Sequence, residues 1–157
     1  MYPKTITAFL LMAGTTVAVS LPHQTTSTVN LGTIQFAAPF CGNAKLHSIN
    51  TTDCFTALSG ILSSICTTGV CWLPAGNPPF TGSLVTRTVG MCEIFIETNV
   101  ESAVVTFSQA SVQDEFDTFI PQCVDPSNQI HNGNPVVRSV DGRFSLLFSN
   151  GLAVGPE

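Results

Sequence analysis

Apolar positions recur every three to four residues between Thr52 and Cys66 (TDCFTALSGILSSIC), where Cys54, Leu58, Ile61 or Leu62, and Ile65 share one face. That period predicts an amphipathic helix. Side-chain oxygens of Asn50, Thr51 and Thr52 can cap its free N–H groups, and Asp53 suits the positive end of its dipole. Gly69, just beyond, can stop the helix. Gly60 inside it costs about 1 kcal/mol relative to alanine, or marks close packing on a sheet. A second helix fits Ser108 to Ile120, with Val112, Phe116, Phe119 and Ile120 on one face. Ser111 and Asp114 resemble a capping box, and Pro121 disfavours helical geometry before it and closes the element.

Alternation replaces the helical period between the two helices. Arg87 to Thr98 (RTVGMCEIFIET) places Cys92, Ile94 and Ile96 on one face and Glu93, Phe95 and Glu97 on the other, with a bend or bulge at Gly90. Val100 to Phe107 reads as another strand, and Thr98-Asn99 as a hairpin turn joining the two. Arg143 to Ser149 alternates Phe144, Leu146 and Phe148 against Ser145, Leu147 and Ser149. Asp141-Gly142 before it is a strong hairpin signal, so Val136 to Val140 should pair with it. Short strands fit Thr33–Phe36 and Val70–Leu73. Pro74 to Ser83 and Val124 to Pro135 read as loops. The fold class that follows is α+β: two helices packed on an antiparallel β-sheet, an α/β sandwich.

The N-terminus adds a destination. Lys4 is followed by an uncharged run from Thr5 to Val19, and Ala18-Val19-Ser20 offers small residues for cleavage after Ser20, or after Ala18. Residues 1–20 thus read as a signal peptide, since the run is too short and too interrupted by Gly14, Thr15 and Thr16 for a membrane span of roughly 20 apolar residues. Residues 21–32, rich in Thr and Ser, read as a flexible leader, and residues 33–157 as a single secreted domain. Removing residues 1–20 takes one of five basic residues and none of ten acidic ones, so the net charge moves from −5 to −6. An acidic, sparsely charged chain is repelled by phosphate backbones and by anionic membrane surfaces, which excludes nucleic acid as a partner class. With 44% hydrophobic and 10% charged residues, the chain has the balance of a globular domain rather than a disordered one.

Six cysteines in an exported chain predict three disulfides: Cys41, Cys54, Cys66, Cys71, Cys92 and Cys123. The spacing of Cys66 and Cys71 loosely suits a metal, but no second close pair or His-rich segment accompanies it, so no metal site is expected. Six cysteines allow 15 connectivities.

Asp53-Cys54-x-x-Ala57 opens a helix, Gly90-x-Cys92-x-Ile94-x-Ile96 forms a strand, a second helix runs into Cys123, and a final hairpin follows. This order, over roughly Cys41 to Ser149, resembles the fungal secreted necrosis-inducing effector family, which is similar to the smut-fungus killer-toxin-like proteins with their two-layer α/β sandwich. The resemblance implies a Cys54–Cys92 bridge joining helix to sheet. Cys66–Cys71 would clip the helix end to the next strand, leaving Cys41 with Cys123. The chain departs from the pattern in having Asn132-Gly133-Asn134 where paired glycines are common, and in its Cys66/Cys71 pair.

No catalytic set assembles along the chain. A nucleophile needs a base within reach, itself oriented by a third group, and no G-x-S-x-G elbow is present. A ribonuclease would draw on His47, Glu93, Glu97, Arg138 and His131, which otherwise read as solvated loop and strand residues. Glu93 and Glu97 stand about 13 Å apart on one strand face, wider than a glycosidase carboxylate pair. Phe95 between them is an exposed-face aromatic. Trp72 beside Cys71 either packs on a disulfide or anchors a ligand, and Phe80 in the Asn77-Pro-Pro-Phe80 loop is a second ligand contact. Asn50-Thr51-Thr52 is a glycosylation sequon, with Asn50 the acceptor.

The expected function is therefore a non-enzymatic, monomeric, extracellular effector or killer-toxin-like protein without cofactor, acting on an unknown extracellular protein or glycan. A carbohydrate-binding or cell-wall-associated module is the alternative, and a small secreted hydrolase or ribonuclease a third reading.

Overall fold

A computed structural model describes residues 27–41, 49–76, 82–124 and 135–149. The expected signal peptide over residues 1–20, the first residues 21–26 of the expected leader and the Asn132-Gly133-Asn134 segment lie outside the described residues.

The architecture is α+β; the described residues form two helices, two four-stranded, mostly antiparallel sheets and three disulfides. The first sheet runs β1-β6-β3-β2, from β1 (Ser27–Gly32), β6 (Ala103–Ser108), β3 (Val70–Leu73) and β2 (Cys66–Thr67). Its β1–β6 pair is parallel. The second runs β4-β5-β8-β7, from β4 (Leu84–Val89), β5 (Cys92–Thr98), β8 (Phe144–Ser149) and β7 (Val136–Arg138), all antiparallel.

Helix α1 spans Thr51–Ile65 and buries Cys54, Ala57, Leu58, Ile61, Leu62 and Ile65, the stripe that its periodicity predicted. Asn50 is the cap: its Oδ1 accepts from the Thr52 N–H at 2.9 Å. Gly60 marks close packing, because a Cβ there would overlap the Arg87 guanidinium from β4. Gly69 does not stop this helix. The chain turns extended at Cys66 and enters β2 directly, and Thr68 (φ 52°) with Gly69 (φ 81°) forms the two-residue turn into β3. Two consecutive positive φ values are what a tight hairpin with the right twist needs.

Helix α2 spans Gln109–Cys123, so Pro121 lies inside it rather than ending it. Proline removes one bond, to the carbonyl of the exposed Asp117, which water can reach, while Cys123 and Val124 beyond it are buried and pull the last turn onto the core. The Ser111/Asp114 box does not form either. The N-cap is Ser108, three residues before Ser111, and the Ser111 hydroxyl donates to the Ser108 carbonyl and accepts from the Ile34 N–H.

Strand pairing departs further from expectation. The segment Arg87–Thr98 is not one bent strand. Gly90 (φ 51°) and Met91 form a hairpin turn between β4 and β5, in register Val89 with Cys92. The Asp53 carboxylate accepts from the Met91 N–H at 3.1 Å and so ties the first turn of α1 to this hairpin, beside the Cys54–Cys92 bridge. Thr98-Asn99 is no hairpin turn: β6 leaves the second sheet and pairs with β1 and β3 in the first. Within the expected leader, Ser27–Gly32 forms β1, and Leu31 packs against the core. Thr33–Phe36 makes only an isolated bridge, Phe36 with Ser139.

The core fills the space between the helices and the inner faces of both sheets. Edge-to-face rings connect the layers: Phe107 on Phe144 (5.0 Å) joins the sheets, and Phe116 touches Phe55 (5.5 Å), Phe148 (6.4 Å) and Phe119 (6.5 Å). The bridges tie the same layers: Cys54–Cys92 joins α1 to β5, Cys66–Cys71 joins β2 to β3, and Cys41–Cys123 holds the incoming chain to the end of α2.

Candidate functional site

The alternation in β3 gives that strand an inner and an outer face. Cys71 and Leu73 are buried, while Val70 and Trp72 point away, exposed at 52% and 48%. Trp72 therefore does not pack on the Cys66–Cys71 bridge, because successive strand residues face opposite sides and Cys71 takes the inner one. Register aligns Trp72 with Thr106 on β6 and Thr106 with Asn30 on β1. Thr28 with Val104, and Ser108 with Val70, lie in the flanking rows. Asn30 and Thr28 are exposed, and Val104, Thr106 and Ser108 half-buried. The result is an open face with an indole at one end of a row and hydroxyl and amide groups beside it. Asn30 Oδ1 accepts from the Gly32 N–H at 2.9 Å, which fixes the orientation of that amide.

Of the other predicted site residues, Phe80, His47 and His131 lie outside the described residues. Glu93, Phe95 and Glu97 share the outer face of the second sheet, as alternation requires, all half-buried. Glu93 accepts a long hydrogen bond from the Ser149 hydroxyl at 3.5 Å, and Phe95 stands in register with Thr86 and Leu147. Arg138 falls in the row Glu97–Ser145–Arg138, two strand spacings or about 10 Å from Glu97. Among the described residues no three His, Cys, Asp or Glu side chains gather as metal ligands, and no helix is long and apolar enough to cross a membrane. Asn50 is exposed at the start of α1; its cap uses Oδ1, so the Nδ2 that would carry a glycan is not the atom that holds the helix.

A cleft of about 290 Å³ opens between Leu31–Gln35 and Ser139–Asp141. Asp141 at its mouth is occupied by its own turn: it accepts from the Ser139 hydroxyl, the Arg143 N–H at 3.0 Å and the Arg143 Nε–H at 2.7 Å. The Ser139 bond first, then the two from Arg143, hold its carboxyl down at about 2. A carboxylate with that affinity for protons is a poor general base near neutral pH. It is a turn lock instead, since the Ser139 hydroxyl also accepts from the Phe144 N–H at 2.9 Å. A folded pKa below the unfolded one means that the turn gains stability above about pH 4 and loses it as pH falls toward 2. Asp141→Asn should therefore flatten the pH dependence of urea unfolding between about pH 4 and 2. An unchanged slope would show that the turn is not held by this carboxylate.

Sequence reading reached Trp72 but missed Asn30, Thr28 and Thr106. The available signal was the alternation of Thr28 and Asn30 with Val29 and Leu31, a strand pattern inside a segment whose composition suggested a leader. No family model, no curated protein and no solved structure matches the chain.

Proposed function

We propose that this chain is a secreted, disulfide-stabilised, non-enzymatic protein of the effector or killer-toxin type, acting outside the producing cell by binding a host or competitor target. The observation that carries the binding reading is the uncovered Trp72 face: a large aromatic held at 48% exposure on a rigid sheet. Leaving a tryptophan in water forgoes the stabilisation that burying it would bring, and such residues are enriched where proteins bind. Rigidity supports the same reading, because a face fixed by two neighbouring strands loses little freedom when it is occupied. The three bridges suit an oxidising compartment, and the apolar run of residues 1–20 supports export to one. Asn50 is the proposed glycan acceptor.

The protein secreted from a yeast host and applied to leaf tissue or to competing fungal cells should elicit necrosis or growth arrest that Trp72→Ala removes. Absence of any response over a wide dose range would overturn the effector reading. A peptide map of the same material should begin at Leu21 and carry a glycan on Asn50; an unmodified Asn50 would remove the glycoprotein assignment.

A further inference from the structure

We propose that the row Trp72–Thr106–Asn30 binds a neutral polysaccharide chain, which makes the target in the reading above a cell-wall glycan; the proposal rests on that reading for its biological setting. Charge is the first argument. Strands β1, β2, β3 and β6 contain no Asp, Glu, Lys or Arg, in a chain that carries ten acidic and five basic residues. A face stripped of charge offers nothing to a polyanion, a polycation or a charged lipid surface, all of which are recognised by opposite charge. It suits an uncharged partner.

The chemistry of the row narrows that partner. A pyranose presents a C–H face, which packs on an aromatic plane, and a rim of hydroxyls, which need fixed donors and acceptors. Trp72 supplies the plane, with Val70 and Val104 beside it in the neighbouring rows. Thr106 supplies a hydroxyl that can donate or accept. Asn30 supplies the Nδ2 donors, because its Oδ1 is already engaged by the Gly32 N–H. The three residues span two strand spacings, about 10 Å, which accommodates more than one sugar ring. The surface is a flat sheet rather than a pocket, so it accepts the side of a chain and does not select for a chain end.

Trp72 is the single tryptophan of the protein, so its emission reports the site directly. The full-length oxidised protein is titrated with cellohexaose, laminarihexaose, chitohexaose and mannohexaose. At least one should give a saturable emission change, with calorimetry giving the affinity. Trp72→Ala should weaken that binding by about tenfold or more, as loss of an aromatic anchor does. Asn30→Asp keeps the acceptor that holds Gly32 but removes the N–H donors, and should also weaken binding. Leu84→Ala, which removes an exposed apolar side chain of the second sheet, should leave it unchanged. No saturable response to any of the four at about 1 mM would overturn the proposal. Binding untouched by Trp72→Ala, or a Trp72-dependent dimer in sedimentation showing that a second copy covers the face, would do the same. A cell response that needs Trp72 without glycan binding overturns the glycan assignment alone, and glycan binding without a cell response overturns the effector reading alone.

Discussion

Replacing Cys54 and Cys92 together by alanine should lower the unfolding free energy by about 4–5 kcal/mol. The bridge closes 38 residues of chain, and restricting an unfolded loop of that length contributes about 4 kcal/mol. Both cysteines are wholly buried between α1 and β5, so deleting the sulfurs also leaves a gap lined by apolar atoms. The Asp53 contact to the Met91 N–H loses its anchor at the same time. Cys66–Cys71 provides the internal comparison. It spans only 5 residues, and the same loop argument gives about 2 kcal/mol. Urea unfolding of the two double variants under oxidising conditions checks the order. Equal losses would show that the Cys54–Cys92 staple is not what keeps helix and sheet together.

Phe116→Ala should cost about 3–5 kcal/mol. The Phe116 ring is fully buried and meets Phe55 of α1, Phe119 of its own helix and Phe148 of β8, so it is shared by both helices and the second sheet. Its neighbours belong to bridged, close-packed elements and cannot collapse into the space it leaves. Trp72→Ala is the contrasting case: on an open face it should change stability by less than about 0.5 kcal/mol. Measuring both by urea denaturation separates core from surface. A loss below about 1.5 kcal/mol for Phe116→Ala would mean that the aromatic cluster repacks freely. A large loss for Trp72→Ala would mean that the indole is structural, and its binding defect could then be an effect of misfolding.

Helix α1 was legible because every signal it uses is local. Cys54, Leu58, Ile61, Leu62 and Ile65 fall on one stripe by their spacing alone, and the Asn50 cap is two residues from the N–H it satisfies. The Asp141-Gly142 turn was legible for the same reason, since its bonds join residues no more than five apart in sequence. Pro121 misled because its local preference is real but small against the burial of Cys123 and Val124. Gly90 misled because a bend and a two-residue hairpin turn place the same demand on that residue, a positive φ. What separates them is whether Val85 to Val89 can find Cys92 to Ile96 as a partner, and that is a property of pairing.

The sequence by itself determined the α+β class, the position of α1, the final hairpin and the two faces of β5 and β8, because side-chain period follows from backbone geometry over a few residues. It left open whether Trp72 packs on the Cys66–Cys71 bridge, whereas in β3 Trp72 and Val70 lie opposite Cys71 and Leu73. It did not determine which of those faces is buried, since both are apolar and either could have met the helices. Only the tertiary structure decided that, by sending β6 away from β5 to lie between β1 and β3 and by placing Cys71 and Leu73 in the core. The row Asn30–Thr106–Trp72 comes from three strands distant in sequence. Its physical cause is strand register, which is fixed by the total burial of the sheet and by no single stretch of chain.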